Sequence, residues 1–298
     1  MNFIKNSWMG FLLSGSLILI SFVLFSYSYI QTGSILKYGI DFTGGTLLEL
    51  ETHGEDSGEK FLTYFQDKEH LSPVISETDN NTHIVKMKDI TEEEHVFIIT
   101  ELKSLYPKLE EKRFLVIGPA VGKTMKQKAY TALIIALISI VLYIAYAFSE
   151  VQKIFSSWKF GFSAIVALMH DVIITVGIFS FLGMAYGVEV DALFITALLT
   201  LMGFSVHDTI VVFDRLRENT KNARSKDDME NIANASVQQT LMRSINTSIS
   251  TLFPLVALFF LGAESIQMFI FALIIGIVVG TYSSIFLAIP ILIKWHDE

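Results

Sequence analysis

Six long apolar runs divide the chain, and each approaches or exceeds the roughly 17 to 20 residues that a helix needs to cross a bilayer. We predict a transmembrane helix from each run. The first run is longer than the roughly 7 to 15 apolar residues of a signal peptide and lacks a small-residue cleavage site after it, so we interpret it as a helix that stays in the membrane. The runs are Met9–Tyr29, Ala129–Phe148, Phe160–Met184, Ala192–Phe213, Ile245–Leu261 and Met268–Ile293.

Between the first two runs, residues 31–125 have the pattern of a soluble domain, with short alternating segments and turn signals. Phe61, Leu62 and Phe65 share one face of the first predicted helix. The order strand, helix, strand, strand, helix, strand matches the ferredoxin-like βαββαβ arrangement. The predicted strands are Gly45–Thr52, Val74–Glu77, His83–Asp89 and Lys112–Ile117, and the predicted helices are Glu55–His70 and the segment from Thr91 to about Tyr106.

Local signals place several boundaries in this domain. Thr91 is predicted to cap the second helix, because three glutamates follow it and favour the positive end of the helix dipole. Pro107 ends that helix, and Asp79-Asn80-Asn81 predicts a turn. We therefore expect an α-helical polytopic membrane protein. Its parts are a first transmembrane helix over residues 1–30, an α+β domain over residues 31–125 and a five-helix transmembrane bundle over residues 126–298.

The composition agrees with a membrane protein. Hydrophobic residues make up 52% of the 298 residues and only 17% are charged, against about 25% in soluble domains. The net charge of −8 argues against a nucleic-acid-binding protein, whose footprint would be basic. The chain contains no cysteine, which excludes disulfide and thiolate chemistry.

Lysine and arginine in the loops predict the orientation. Basic residues precede the first apolar run and follow the second, fourth and sixth, whereas the short loops near Glu189 and Glu264 contain none. Because short cytoplasmic loops carry an excess of Lys and Arg, we expect both termini in the cytoplasm and the α+β domain on the outer side. The basic residues are Lys5, Lys153, Lys159, Arg215, Arg217, Lys221, Arg224, Lys226 and Lys294.

The stretch from Gly203 to Asn219 contains the most unusual position of the chain. Asp208 lies among apolar residues of the fourth run, where a carboxylate costs roughly 2.5 to 3.5 kcal/mol at mid-bilayer. Helix formation does not need it, because leucine is a better helix former. We predict that Asp208 is a protonatable carboxylate facing the bundle interior. A structural hydrogen bond to a neighbouring helix is the alternative.

Arg243 enters the fifth run and is the predicted cationic partner of Asp208. Thr247 follows four residues later and therefore shares the helix face of Arg243. The other interpretation is a positive-inside arginine whose side chain snorkels to the cytoplasmic interface. Position alone leaves both interpretations open.

Three further ionisable residues lie inside apolar runs. His170 and Asp171 occupy the third run, where a structural hydrogen bond and a part in a proton path are equally open. His207 precedes Asp208, and a core histidine is the favoured interpretation of it, with the proton path as the other. We predict no metal site, because adjacent His–Asp pairs point to different helix faces, whereas metal ligands favour spacings such as i and i+4.

Two glycine motifs lie outside the apolar runs. Gly118–Thr124 (GPAVGKT) resembles the end of a phosphate-binding loop, but the Walker pattern requires glycine where Ile117 stands. We interpret Gly118–Gly122 as a connector. Asp41–Gly45 (DFTGG) predicts a turn in which the glycines permit positive φ. We therefore predict no nucleotide, no other cofactor and no catalytic residue.

Several of these stretches together resemble the SecF family of protein-export membrane subunits. The resemblance covers nearly the whole chain, and it implies that Asp208 is the acid of the proton path, with Arg243 and Thr247 as the arginine and threonine of the following span. At His207 the family usually has asparagine. The stretches are DFTGG at Asp41–Gly45, GPAVG at Gly118–Gly122, HDVIITVG at His170–Gly177, GFSVHDTIVVFDRLREN at Gly203–Asn219 and QTLMRSINTS at Gln239–Ser248.

The resemblance also implies a function and partners. The family belongs with the proton-driven resistance-nodulation-division proteins, and its members pair with SecD and assist the SecYEG translocon, with SecA driving the early stage. We expect this chain to use the proton-motive force to promote preprotein translocation and release on the outer side of the bacterial inner membrane. Lipid contact and no nucleic acid are expected. The alternatives are a proton-driven exporter of small molecules or lipids from the same superfamily, and a passive scaffold.

Overall fold

The structure is a computed structural model that describes residues 3–52, 61, 63–65, 68, 71, 73–78, 82–148, 157–220 and 229–295. The chain forms two compact units. The larger comprises Met1–Lys37 and Thr131–Glu298 and consists mainly of long helices. The smaller comprises Tyr38–Tyr130 and contains a β-sheet.

A four-stranded antiparallel sheet forms the framework of the smaller unit. Its strand order is β2-β3-β1-β4, so β3 and β1 are the central strands. Buried and half-buried side chains alternate along β3, because successive side chains in a strand point to opposite faces. All four predicted strands are confirmed, as β1 (Gly45–Glu51), β2 (Val74–Thr78), β3 (Thr82–Met87) and β4 (Glu110–Ile117).

The core of this unit lies between the sheet and its helical residues. Phe61 and Phe65 are fully buried there together with the apolar face of a helix over Glu92–Leu105. The predicted helix Glu55–His70 lies mostly outside the described residues, although residues 61 and 63–65 are helical. The predicted turn Asp79–Asn81 also lies outside them.

The helix over Glu92–Leu105 begins at its predicted cap. The Thr91 hydroxyl accepts a hydrogen bond from the Glu94 backbone N–H at 3.2 Å, and the Glu94 carboxylate accepts one from the Thr91 N–H at 2.8 Å. This reciprocal capping box satisfies two donors that the first turn of a helix leaves free. The helix ends two residues before Pro107, as expected for a residue that cannot continue the ladder.

The DFTGG motif forms a short helix rather than the predicted turn. Residues Ile40–Thr43 are helical because the Gly44 N–H donates to the Ile40 carbonyl at 2.9 Å and closes one helical turn. Gly44 and Gly45 follow with φ of 77° and 136°. These values are strained for other residues, so the expectation of positive φ at the glycines is confirmed.

The GPAVG motif connects β4 to the next helix, as predicted, but its residues from Pro119 onward are already helical. Pro119 opens a long helix over Pro119–Ala147, since the first helical residue has no use for the N–H that proline lacks. A Cβ on Gly122 would lie 2.7 Å from the backbone nitrogen of Gly44. The two glycine motifs are therefore in backbone contact within the smaller unit, and this approach requires glycine at position 122.

Among the described residues, six helical spans are long and apolar enough to cross a membrane. They extend beyond several of the predicted apolar runs, because hydropathy marks the part embedded in lipid and not the helix ends. We number all helices in chain order as α1 (Ser7–Thr32), α2 (Ile40–Thr43), α3 (Glu92–Leu105), α4 (Pro119–Ala147), α5 (Ser157–Tyr186), α6 (Ala192–Thr220), α7 (Met229–Leu261), α8 (Gln267–Ser283) and α9 (Ile289–Lys294), with a π-helical segment, Ser284–Ala288, between the last two.

Helices α6 and α8 form the centre of the larger unit. About half of the apolar part of α5, α6 and the last span is buried, whereas α4 and α7 are largely exposed. A Cβ on Gly276 of α8 would lie 2.7 Å from Leu201 Cβ of α6, and one on Gly280 would lie 3.0 Å from Ser205 Cβ. Small residues at these positions let the two backbones approach closely.

Replacing Gly122 by alanine should loosen the smaller unit. The added Cβ overlaps the backbone at Gly44, and overpacking of this kind costs about 1 to 3 kcal/mol. We expect amide hydrogen exchange in β1 and β4 of the full chain to become roughly 5- to 150-fold faster, measured by mass spectrometry. The matched control is Gly118→Ala, since a Cβ there meets no atom within 4 Å. Equal exchange in the two variants would contradict the packing argument.

Candidate functional site

Asp208 lies on the buried face of α6, with 2% of its surface exposed. The Thr281 hydroxyl of α8 lies next to this carboxylate and donates a hydrogen bond to the Ile277 carbonyl at 2.8 Å. Its Oδ2 atom is buried and has no hydrogen-bond partner among the described residues. A buried polar atom left without a partner costs roughly 1 to 3 kcal/mol. The carboxylate is therefore incompletely satisfied by this chain alone.

Arg243 lies on an exposed face of α7. Arg243 and Asp208 form no ion pair in the chain by itself, although Arg243 is close enough to act on the carboxylate electrostatically. The adjacent residues on this outer face of α7 are apolar or uncharged. They include Met242, Asn246, Ile249 and Phe253.

Thr247 is half-buried, one turn after Arg243. Its backbone carbonyl accepts hydrogen bonds from the hydroxyls of Ser250 and Thr251, at 2.8 and 3.0 Å. The next residue, Ser248, is buried and its hydroxyl lies 2.6 Å from that of Thr281. Ser248 therefore links α7 to Thr281, whose hydroxyl lies next to the Asp208 carboxylate.

His207 lies on the exposed face of α6. The core-histidine interpretation is wrong for the chain by itself, because His207 is exposed whereas its neighbours Val206 and Asp208 are buried. His207 belongs to a stripe of exposed residues along α6 that recur every three or four positions. We call it the α6 outer stripe, and it consists of Leu193, Thr196, Thr200, Gly203 and His207.

A second buried acid lies on α5. Asp171 is 0% exposed, and its Oδ1 lies 2.8 Å from Nδ1 of His170, which is 1% exposed. Its Oδ2 accepts hydrogen bonds from the hydroxyls of Ser205 at 2.6 Å and Ser283 at 2.8 Å. Three helices, α5, α6 and α8, thus converge on one carboxyl group.

The sequence analysis missed the segment that joins these groups, Thr281–Ser284, which we call the hydroxyl segment. Besides the contacts of Thr281 and Ser283, the Tyr282 hydroxyl donates to the Gly10 carbonyl of α1 at 2.9 Å, and the Ser284 hydroxyl lies 3.0 Å from that of Thr209. Its four consecutive side chains reach α1, α5, α6 and α7. The signal that could have found it is the G-x-x-x-G spacing of Gly276 and Gly280 immediately before it.

Within the part of the chain that the structure describes, no three His, Asp or Glu residues come together as metal ligands do. The described polar groups around Asp208 and Asp171 are hydroxyls and one imidazole. Such an arrangement can hold and release protons and can exchange hydrogen bonds between helices.

Two family models match the chain. The model described as "Protein export membrane protein SecD/SecF, C-terminal" matches residues 98–298, and the model of the SecD/SecF GG motif matches residues 36–54. The chain belongs to the SecD/SecF family. The second match includes Gly44, whose backbone is in close contact with Gly122 of α4.

Individual relatives support a SecF type within this family. Protein translocase subunit SecF of Thermobaculum terrenum is 40% identical over 297 residues, which cover 93% of this chain and 92% of that protein. SecF of a Synechocystis species is 35% identical over 98% of this chain and 92% of its own. SecDF of Thermus thermophilus is 35% identical, and the match covers 88% of this chain but 35% of that longer protein.

A solved structure agrees with these relatives. The crystal structure of SecDF from Thermus thermophilus, described as a translocon-associated membrane protein, matches with a TM-score of 0.80 and 32% identity. The match covers all of this chain and 39% of the SecDF chain. Together with the six apolar spans, these similarities identify a multi-pass membrane subunit of Sec protein export.

Cysteine labelling should distinguish the two faces of α6. Because the chain contains no cysteine, a single introduced cysteine reports only its own position. We expect His207→Cys to react with a small maleimide in the detergent-purified chain about tenfold or more faster than Thr209→Cys, since thiol reactivity follows exposure and Thr209 is 1% exposed. Equal labelling rates of the two folded variants, together with equal rates after denaturation, would refute the assigned faces.

Proposed function

We propose that this chain is a SecF subunit that works with SecD and uses the proton-motive force to promote preprotein translocation and release. The observation that carries the proposal is Asp208, an almost fully buried carboxyl group inside a membrane-spanning helix with one oxygen unpartnered among the described residues. Intramembrane ionisable residues mark ion or proton pathways. A proton is the ion that a lone carboxyl group can hold without further ligands.

The proposed proton pathway consists of Asp208, Arg243 and Thr247, with His170, Asp171 and His207 as secondary candidates. A proton that reaches Asp208 cancels its charge and removes the attraction to Arg243. Asp208 lies on α6 and Arg243 on α7, so the charge change acts on the contact between these helices. Each proton that crosses the membrane supplies about 2.3 kcal/mol per 100 mV of potential.

SecD is the proposed partner at the α6 outer stripe. This stripe is rich in small residues, Thr196, Thr200 and Gly203, which let a second helix approach closely. The exposed charge of Arg243 on α7 also calls for a polar partner, because an arginine at the bilayer centre is costly when it faces lipid. A transmembrane helix of SecD with small and polar residues would satisfy both surfaces.

The smaller unit is the proposed ferredoxin-like outer domain. The strand order β2-β3-β1-β4, the antiparallel pairing and the position of α3 between β3 and β4 support this arrangement. The distribution of Lys and Arg supports cytoplasmic termini in the inner membrane of a bacterium. In this orientation the outer domain meets the emerging preprotein, SecYEG supplies the channel, and SecA acts from the cytoplasm.

Replacing Asp208 by asparagine should abolish the part of preprotein translocation that depends on the proton gradient. Asparagine keeps the size of the side chain but cannot take up or release a proton. The measurement is preprotein translocation into membrane vesicles that contain SecD, after ATP is exhausted, with the gradient present or collapsed. We expect vesicles that contain Asp208→Asn and have a gradient to translocate as little preprotein as native vesicles without a gradient.

The matched control for this experiment is Asp214→Asn. Asp214 lies on the same helix but is exposed, with its carboxylate 3.9 Å from Arg217. Loss of an exposed ion pair is worth about 0 to 1 kcal/mol, so this variant should translocate as the native chain does. A native response of Asp208→Asn, in vesicles where the complex assembles normally, would show that Asp208 is structural.

SecD should protect the α6 outer stripe from labelling. We expect the maleimide reaction of His207→Cys to slow by about tenfold or more when SecD is co-expressed and co-purified. The control is Leu19→Cys, because Leu19 of α1 is 64% exposed and lies outside the stripe. If SecD leaves the rate at position 207 unchanged while the two proteins co-purify, the partner binds another surface.

A further inference from the structure

We propose that the His170–Asp171 pair is a second proton-holding site of this subunit, and that the hydroxyl segment links its charge state to that of Asp208. The proposal rests on the proposed proton-coupled function and adds a second acid to it. The carrying observation is geometric. A fully buried carboxyl group receives donors from three helices, and its histidine partner has a free nitrogen.

The carboxyl group of Asp171 is held on both oxygens. Oδ1 faces Nδ1 of His170 at 2.8 Å, and Oδ2 accepts the hydroxyls of Ser205 and Ser283 at 2.6 and 2.8 Å. The hydroxyl of Thr175 donates to the Asp171 backbone carbonyl at 2.8 Å and fixes the same turn of α5. The buried carboxyl group is therefore held by specific hydrogen bonds on both of its oxygens.

The charge of this pair is balanced inside the pair. Helices α1 and α8, which flank it, contain no Lys, Arg, Asp or Glu. Lys159 lies 12 residues before Asp171, about 18 Å along α5, and binds the Trp295 carbonyl. Lys37 binds the carbonyl of Gly187, beyond the other end of α5. His170 is thus the described group that can neutralise Asp171 at close range.

The other ionisable groups on elements that pack against α5 lie apart from the pair or are uncharged tyrosines. On α1 they are Tyr27 and Tyr29, which are exposed, and on α8 Tyr282, whose ring centroid lies 6.1 Å from that of the His170 ring. On α6 they are His207, Asp208 and the charged end from Asp214 to Glu218, and on α9 Lys294. The pair is electrically neutral when it holds one proton more than a carboxylate beside a neutral imidazole would hold. That proton sits on either the imidazole or the carboxyl group.

The free nitrogen gives this proton a way in and out. Nε2 of His170 is buried and has no hydrogen-bond partner among the described residues. A buried histidine with a purely structural role would be expected to have a hydrogen-bond partner at each ring nitrogen. The imidazole can therefore exchange a proton at Nε2 while Nδ1 stays in contact with Asp171.

The hydroxyl segment connects this pair to Asp208. Thr281 faces Asp208 and Ser283 faces Asp171, two residues apart on the same helical turn. Ser205, the second hydroxyl on Asp171, lies one turn before Asp208 on α6. The π-helical segment starts at Ser284, and such irregular turns occur frequently at functional sites. A change of charge at Asp208 that moves Thr281 therefore moves Ser283 against Asp171.

The test is the titration of His170 in the full chain in lipid, followed by nuclear magnetic resonance of selectively ¹⁵N-labelled histidine. The chain has seven histidines, and His170→Gln assigns the signal. We expect the His170 signals to titrate and the midpoint to move by about one pH unit or more in Asp208→Asn and in Ser283→Ala. The control is Ser26→Ala, whose hydroxyl is exposed and bonds only to its own helix, α1. A His170 signal that does not titrate, or a midpoint that is the same in all variants, would overturn the proposal.

Vesicle translocation separates this proposal from the proposed function. We expect Asp171→Asn and Ser283→Ala to lower the gradient-dependent part at least severalfold, with ATP-driven translocation and complex assembly retained. If Asp208→Asn abolishes that part while Asp171→Asn and Ser283→Ala match the native chain, the second site is refuted and the proton-coupled function stands. If Asp208→Asn itself matches the native chain, the proposed proton-coupled function is refuted, and the second site is refuted with it.

Discussion

The close approach of α6 and α8 is the constraint on which the polar interior of this protein depends. Inside a bilayer, apolar side chains gain little by leaving lipid for a neighbouring helix, so contact area and hydrogen bonds hold helices together. Gly276 and Gly280 have no side chain, so the α8 backbone packs directly against Leu201 and Ser205 of α6. Because the hydroxyl segment follows directly, this approach brings Thr281 to Asp208 and Ser283 to Asp171. Larger residues at the glycines would separate both acids from these hydroxyls.

The uneven burial of the six spans explains why the predicted ion pair is not formed in the chain by itself. Asp208 faces the interior, whereas Arg243 faces outward on a helix whose apolar part is 11% buried. The charge of an arginine in that position is stabilised little by the rest of this chain and would be stabilised strongly by a polar neighbour. The exposed α6 outer stripe lies on the helix that carries Asp208. The charge arrangement of the site is therefore only partly defined by one chain.

Physical patterns along the sequence predict the spans, the strands and the α3 cap, because hydropathy, alternation and capping are local. Asp208 stands out for the same reason, since the cost of a carboxylate in lipid can be read at one position. The contact of Gly122 with Gly44 joins residues far apart in the chain, and local pattern does not reveal it. The hydroxyl segment was missed because serine and threonine barely interrupt an apolar run. Their role depends on which helix each side chain meets.

The choice of hydroxyls around both acids has a chemical reason. Serine and threonine can donate a hydrogen bond to a carboxylate and can accept one from a carboxylic acid after the hydroxyl rotates. A lysine or arginine in the same place can only donate, so protonation of the acid would leave a buried charge unpaired, at a cost of several kcal/mol. Ser205, Ser283 and Thr281 therefore allow Asp171 and Asp208 to exist in either charge state within one packing arrangement. In the proposed proton pathway, the cation then belongs on the outer face, where Arg243 lies and where the proposed partner helix would move relative to it.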